Sequence, residues 1–268
     1  MTLRVLDLFA GAGGFTIAGE LAGGYETVAF CEIDKRARKV LAKEWPDVPI
    51  FEDVTKLKAD DIDGAIDVIT GGFPCQDLSS AGRGAGLGEG TRSGLFREML
   101  RLACEIREKQ GRLPYIIFEN VARLLSGPSE APGEWFGEFL WSLAKVGYDA
   151  EWYVLPATLA EAPHLRERVC VVAYANEELR EELPALGVYI EAERRSYESL
   201  CSSPLRDEDG DRRGAPIGGW CMSEPAFCLP GNGVSFKSSG LSAGIMGNAI
   251  VPQVFAIPMR ALREWVEE

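Results

Sequence analysis

Between Leu3 and Tyr174 the chain alternates short apolar runs with longer amphipathic stretches, and this alternation restricts the fold more than any other feature. Leu3–Leu8, Thr27–Cys31, a short piece near Ile50, Ala65–Thr70 closing at Gly71, Tyr115–Phe118 and Arg168–Tyr174 read as strands. Gly14–Leu21, Asp34–Trp45, Ser93–Lys109 and Trp135–Lys145 read as helices, with Asp34 as an N-cap. Strands that alternate with helices predict a doubly wound, mainly parallel α/β sheet. A chain of 268 residues has room for one such domain and a smaller insert.

The pattern changes after Tyr174. Residues 175–243 are charged, rich in Gly, Ser and Pro and poor in periodic apolar positions, so they read as an inserted lobe rather than more sheet. Periodicity returns in Val251, Val254, Phe255, Met259 and Leu262, which suit a helix packing back on the core. Pro258 is predicted to kink that helix or to start a second one. The expected organisation is therefore a main domain of residues 1–174 and 244–268, with a small lobe at 175–243.

Composition removes several classes of protein. No apolar run approaches the roughly 20 residues of a membrane span, and Met1–Leu6 leads straight into a strand, so no signal peptide is expected. Seven scattered cysteines, none at CxxC spacing, argue against a disulfide framework and a zinc site, and they predict a reducing compartment, the cytoplasm. His164, the single histidine, argues against a multi-histidine metal centre. The net charge of −13 disfavours a general polyanion binder. Locally, however, residues 83–101 carry Arg83, Arg92, Arg97 and Arg101 against Glu89 and Glu98.

Two segments carry chemistry. Gly71-Gly72-Phe73-Pro74-Cys75-Gln76 places a thiol just beyond the carboxyl end of a strand, where ligand sites form in open α/β sheets. Cys75 there is either a nucleophile or a buried structural cysteine. Asp7 to Phe15 forms a glycine-rich strand-to-helix turn, which lets backbone approach a ligand. It lacks the Gly-Lys-Ser/Thr of a phosphate loop and the strict spacing of a dinucleotide site. Glu32 ends the second strand, where an acidic residue can hold ribose hydroxyls, and Asp53 follows the third. Together these features suggest a nucleoside-bearing ligand without a phosphate cradle, and S-adenosylmethionine fits that description.

These residues resemble the DNA cytosine-5 methyltransferases. Asp7–Phe15 resembles the first cofactor motif of that family, Gly71–Gly82 its catalytic loop, and Phe118-Glu119-Asn120-Val121 its Glu-Asn-Val motif. His164-Leu165-Arg166-Glu167-Arg168 resembles a motif usually written Gln-x-Arg-x-Arg, with His164 in place of the glutamine, and Gly247–Pro252 resembles the last motif. The resemblance covers residues 3–174 and 244–268. It implies the S-adenosylmethionine-dependent methyltransferase fold and a compact prokaryotic or phage-like enzyme.

It also implies roles. Cys75 would add to carbon 6 of a flipped-out cytosine, Glu119 would hold or protonate ring nitrogen 3, and Arg166 and Arg168 would contact the base or phosphate and lower the thiol pKa. Phe9 would stack on adenine, Glu32 would hold the ribose, Ile33 would lie against the adenine, and Asp53 would accept from its amino group. Ala10, Gly11, Gly13, Gly14, Phe15, Val54, Gly72 and Pro74 would complete the cofactor wall, and Asn248 and Ala249 would close the methionine end.

The implied partner is double-stranded DNA, bound by a monomer with or without a cognate restriction endonuclease, and no membrane is involved. Residues 175–243 correspond to target recognition, with Arg194, Arg195, Arg212, Arg213, Trp220 and Lys237 as candidate DNA contacts. Two alternatives stand beside this reading. One is an RNA cytosine-5 methyltransferase, whose characteristic Cys-Phe-Thr element is missing here. The other is an inactive homologue that binds cofactor or DNA, which the intact Pro74-Cys75 pair and Glu119 oppose.

Overall fold

The computed structural model describes residues 1–74, 93–128, 130–160, 166–176, 187–193, 195 and 250–267. In chain order the elements are β1 (Leu3–Leu8), α1 (Gly14–Ala22), β2 (Tyr25–Cys31), α2 (Lys35–Glu44), β3 (Ile50–Phe51), β4 (Val68–Gly72), α3 (Phe96–Gln110), β5 (Tyr115–Val121), α4 (Arg123–Ser126), α5 (Glu134–Lys145), β6 (Tyr148–Pro156), β7 (Glu167–Ala175) and α6 (Pro252–Glu267).

The strands form one sheet in the order β3-β2-β1-β4-β5-β7-β6. β1 to β5 pair in parallel, and β7 enters antiparallel between β5 and β6. The expected doubly wound, mainly parallel α/β architecture is therefore present. Strand order reverses between β1 and β4, so the chain leaves their carboxyl ends in opposite directions and opens a crevice there.

Apolar side chains cover both faces of the sheet. On one face Phe96, Met99, Leu102 and Ile106 of α3 join Phe139 and Leu143 of α5 over Leu6, Ile69 and Ile116. Five phenylalanines interlock in that layer, with the Phe73 and Phe139 rings 5.9 Å apart, those of Phe96 and Phe139 5.1 Å apart, and Phe118 and Phe136 also against Phe139. On the other face α1 and α6 pack over Val5, Val68, Ile117 and Val172. Phe15 meets Phe255 edge-on at 5.3 Å, and the Tyr25 hydroxyl donates to the Met259 carbonyl at 2.5 Å.

Four local expectations change. β4 starts at Val68 rather than Ala65, because Asp67 turns inward to accept from the Arg4 amide at 2.8 Å and to pair with Arg112. β6 was not expected, since its alternation is blurred: Asp149, Ala150 and Glu151 are only partly covered and Trp152 is largely exposed. α6 runs through Pro258 without a second helix starting there. A proline inside a helix costs about 3 kcal/mol or more, and the burial of Val254, Phe255, Met259 and Leu262 against α1 outweighs it. Finally, residues 187–193 are helical and pack on the core: Ile190 is buried, the Gly187 amide donates to Glu151 at 2.7 Å, and Glu193 pairs with Arg260. No described helix is long and apolar enough to cross a membrane.

Candidate active site

At the carboxyl ends of β1, β2, β4 and β5 lies one cavity of about 510 Å3. Its wall includes Phe9, Ala10, Gly11, Gly14, Phe15, Glu32, Ile33, Asp53, Val54, Gly72, Pro74, Glu119, Arg166 and Arg168. All were expected at a site from sequence.

The cavity has two halves. In the first, β1 ends in a turn whose Phe9 has φ 53°, the only non-glycine with positive φ among the described residues. A bulky residue in this region is strained by roughly 1–2 kcal/mol, and the turn holds it there through Ala10 N–H to the Cys31 carbonyl at 3.3 Å and Gly13 N–H to the Ala10 carbonyl at 2.8 Å. Gly11 has φ 56° and open space where a Cβ would stand, whereas a Cβ on Gly14 would meet Ile250 at 2.6 Å. Gly13 is absent from the wall. Its φ is 84° and a Cβ would strike Trp45 at 2.4 Å, so it is a glycine because the turn rests on an indole.

Glu32 is gripped by backbone on both oxygens: the Gly11 amide donates to Oε2 at 2.7 Å and the Asp34 amide to Oε1 at 2.8 Å. Each carboxylate oxygen keeps a lone pair for a further donor. Arg38, which the sequence did not single out, donates to the carbonyls of Glu32 and Ile33 and to Glu52, tying the β2–α2 turn down. Ile33 is 75% exposed at the cavity rim, an apolar side chain without protein cover. Asp53 accepts from the Thr55 amide at 3.0 Å and hydroxyl at 2.7 Å, and these bonds hold its pKa below the usual carboxylate value.

In the second half, Glu119 is buried at the end of β5 and pairs with Arg168 of β7, Nε to Oε1, at 2.7 Å. Burial raises the Glu119 pKa, and the positive charges of Arg168 and Arg166 oppose that rise. Gly72 lies opposite Glu119 in the β4–β5 register, and a Cβ there would stand 2.7 Å from Glu119 Oε2. A glycine at 72 therefore makes room for the carboxylate. Asn120 donates through Nδ2 to the Phe73 carbonyl at 3.1 Å, which fixes the chain just ahead of Pro74. Cys75, Arg83, Arg92, His164, Asn248 and Ala249 lie outside the described residues, as do Arg194, Arg212, Arg213, Trp220 and Lys237. Arg97 and Arg101, from the locally basic segment 83–101, are engaged by Glu138 at 2.5 Å and by Glu98 and Glu105 respectively.

Residues 3–207 match the family model described as C-5 cytosine-specific DNA methylase. Among curated relatives, Type II methyltransferase M2.BsuMI of Bacillus subtilis (strain 168) is 34% identical over 171 residues, covering 64% of this chain and 42% of that protein. Type II methyltransferase M.Eco47II of Escherichia coli is 37% identical over 174 residues, covering 65% and 40%. The chain thus spans under half the length of these two relatives. Among solved structures, S. pombe Dnmt2 methyltransferase superposes with a TM-score of 0.61 at 17% identity, over 99% of this chain and 100% of that one, and shows the fold alone.

Proposed function

The chain belongs to the C-5 cytosine-specific DNA methylase family, and from that premise we propose that it methylates carbon 5 of a flipped-out cytosine in double-stranded DNA, using S-adenosylmethionine. The observation that carries this reading is the joining, in one cavity, of a backbone-gripped acidic pocket with the buried Glu119–Arg168 pair beside Pro74.

The cavity fits the cofactor. Its volume lies within the usual range for small-molecule sites, about 300–1,000 Å3. Glu32, Asp34, Glu52 and Asp53 line one side, where Arg36 is the one basic residue of the wall among the described residues, and this acidic excess in the lining favours a cationic, phosphate-free ligand. When bound, S-adenosylmethionine supplies the methyl group and leaves as S-adenosylhomocysteine. Glu32 would accept from the ribose hydroxyls, Ile33 and Phe9 would cover the adenine, and Asp53 would accept from its amino group. Ala10, Gly11, Gly14, Phe15, Val54, Gly72 and Pro74 form the remaining wall, and the family resemblance assigns Asn248 and Ala249, outside the described residues, to the methionine end. Gly13 supports this wall from behind.

On the base side Cys75 adds as thiolate to carbon 6, which makes carbon 5 enamine-like and splits one hard step into easier ones. Glu119 delivers a proton to ring nitrogen 3 as the sulfur–carbon bond forms, and burial, which raises its pKa, favours the proton-carrying form. Arg168 and Arg166 hold the carboxyl in place and stabilise negative charge. Once carbon 5 has taken the methyl group, loss of its proton to water expels the thiolate, and ring nitrogen 3 returns its proton to Glu119. Residues 175–243 are assigned to target recognition and residues 1–174 and 244–268 to the catalytic domain, with 187–193 packing on the core.

Duplex DNA carrying 5-fluorocytosine tests the covalent step, since fluorine cannot leave as a proton. Wild-type protein should form a stable adduct in the presence of cofactor, and Cys75→Ser should form none. Methylation of ordinary DNA without trapping overturns the thiolate mechanism, and methyl transfer to RNA alone overturns the DNA assignment.

A further inference from the structure

Asp7 is fully buried in β1, lies outside the cavity wall, and has no part in the chemistry above. Its Oδ1 accepts from the Thr70 hydroxyl of β4 at 2.9 Å and its Oδ2 from the Thr16 hydroxyl of α1 at 3.2 Å. Thr16 in turn meets the Thr27 hydroxyl of β2 at 3.0 Å. A hydroxyl has one proton, so if Thr16 donates to Asp7, Thr27 must donate to Thr16. The result is a directed chain, Thr27 to Thr16 to Asp7, joined from the other side by Thr70. It closes the base of the glycine-rich turn, residues 8–15, and stitches that base to the strand that leads to Gly72, Pro74 and Cys75.

We propose that Asp7 is a positioning residue that keeps the cofactor turn in register with the catalytic strand, so that the methyl donor and the nucleophile arrive at one cytosine together. The proposal rests on the activity read above. A buried carboxylate is costly, and among the described residues no cation pairs with it. Glu32 pushes its pKa in the same direction as burial does. For anchoring α1 alone, the single bond to Thr16 would serve; the second bond reaches a different strand, whose only route to the cavity is through Gly72 to Pro74.

Thr70→Val removes the link to β4 at nearly constant volume, and Asp7→Asn keeps both links, because its amide can accept from one threonine and donate to the other. Thr70→Val should lower kcat about tenfold while cofactor affinity, by calorimetry, stays within about threefold and the melting temperature within a few degrees. Asp7→Asn should keep most of the wild-type kcat. Amide hydrogen exchange, which does not depend on any activity, should quicken together over residues 8–16 and 68–73 in Thr70→Val. Unchanged kcat and exchange in Thr70→Val overturn the proposal, as does faster exchange confined to one of the two segments. Wild-type protein that transfers no methyl group overturns the activity instead, and the exchange result still decides the role of Asp7.

Discussion

The two halves of the cavity are built in different ways. The cofactor half is local and made of backbone: Glu32 is held by the amides of Gly11 and Asp34, Asp53 by Thr55 two residues on, and Phe9 by the turn it belongs to. The base half is long-range and made of side chains, since Glu119 and Arg168 meet only because β7 runs antiparallel beside β5. A backbone-held group tolerates changes elsewhere in the sheet, whereas a buried ion pair depends on both strands at once. Truncating one partner of such a pair leaves a buried charge exposed to its full desolvation cost.

If that contrast is right, the largest effect should come from Glu119→Gln. The amide cannot deliver a proton, so kcat should fall by about 10²–10⁴, with cofactor affinity by calorimetry unchanged within about threefold. A matching loss of cofactor affinity would erase the distinction between the halves. Arg168→Gln should come next. It removes the ion-pair partner of Glu119 and leaves the Arg166 charge to oppose burial, so stability in chemical denaturation should fall by about 1–3 kcal/mol, and kcat should drop about 100-fold.

The pH dependence of Arg168→Gln sharpens the point. Arg168 opposes the upward push of burial on Glu119, so its loss moves the folded pKa further up. The acid form then persists to higher pH, and the alkaline limb of the rate profile should shift upward; a downward shift would contradict the assignment of Glu119 as the acid. Protonation of Glu119 favours the folded state below its unfolded pKa, and this contribution is lost as pH rises through the raised value. The smallest effect should be that of Glu32→Ala, a loss of about 1–3 kcal/mol in cofactor binding, with kcat at saturating cofactor nearly intact. Unchanged affinity would remove Glu32 from the ribose site.

The same contrast explains what could be read from the sequence. The cofactor half was legible because its determinants are close in the chain: β1, the glycine turn, Glu32 ending β2 and the Asp34 cap all stand where pattern and capping rules put them. Cys75 could be picked out from its place behind a strand end, but Glu119, Arg166 and Arg168 could be named only through a family resemblance, because no local pattern says that β5 and β7 are neighbours. β6 was missed since an edge strand with partly covered Glu151 and largely exposed Trp152 lacks clean alternation. Arg38 and the Asp7–Thr70 bond were invisible for a related reason: each joins groups that only the folded sheet brings together. Gly13 looked like part of the cofactor wall because a glycine run does not reveal which of its members faces the ligand and which rests on Trp45.

The packing of α6 against α1 has a bearing on synthesis of the protein. The helix that carries the cofactor turn has its back covered by Phe255 and Met259, and Ile250 presses on Gly14, all more than 230 positions downstream. As the chain emerges from a ribosome, the glycine turn is made more than 230 residues before the segment that supports it. Contacts so distant in sequence form late. Until residues 250–267 have cleared the exit tunnel, the nascent chain lacks the Ile250 side of the cavity. The cavity would then be completed by the arrival of one distant segment rather than growing with length.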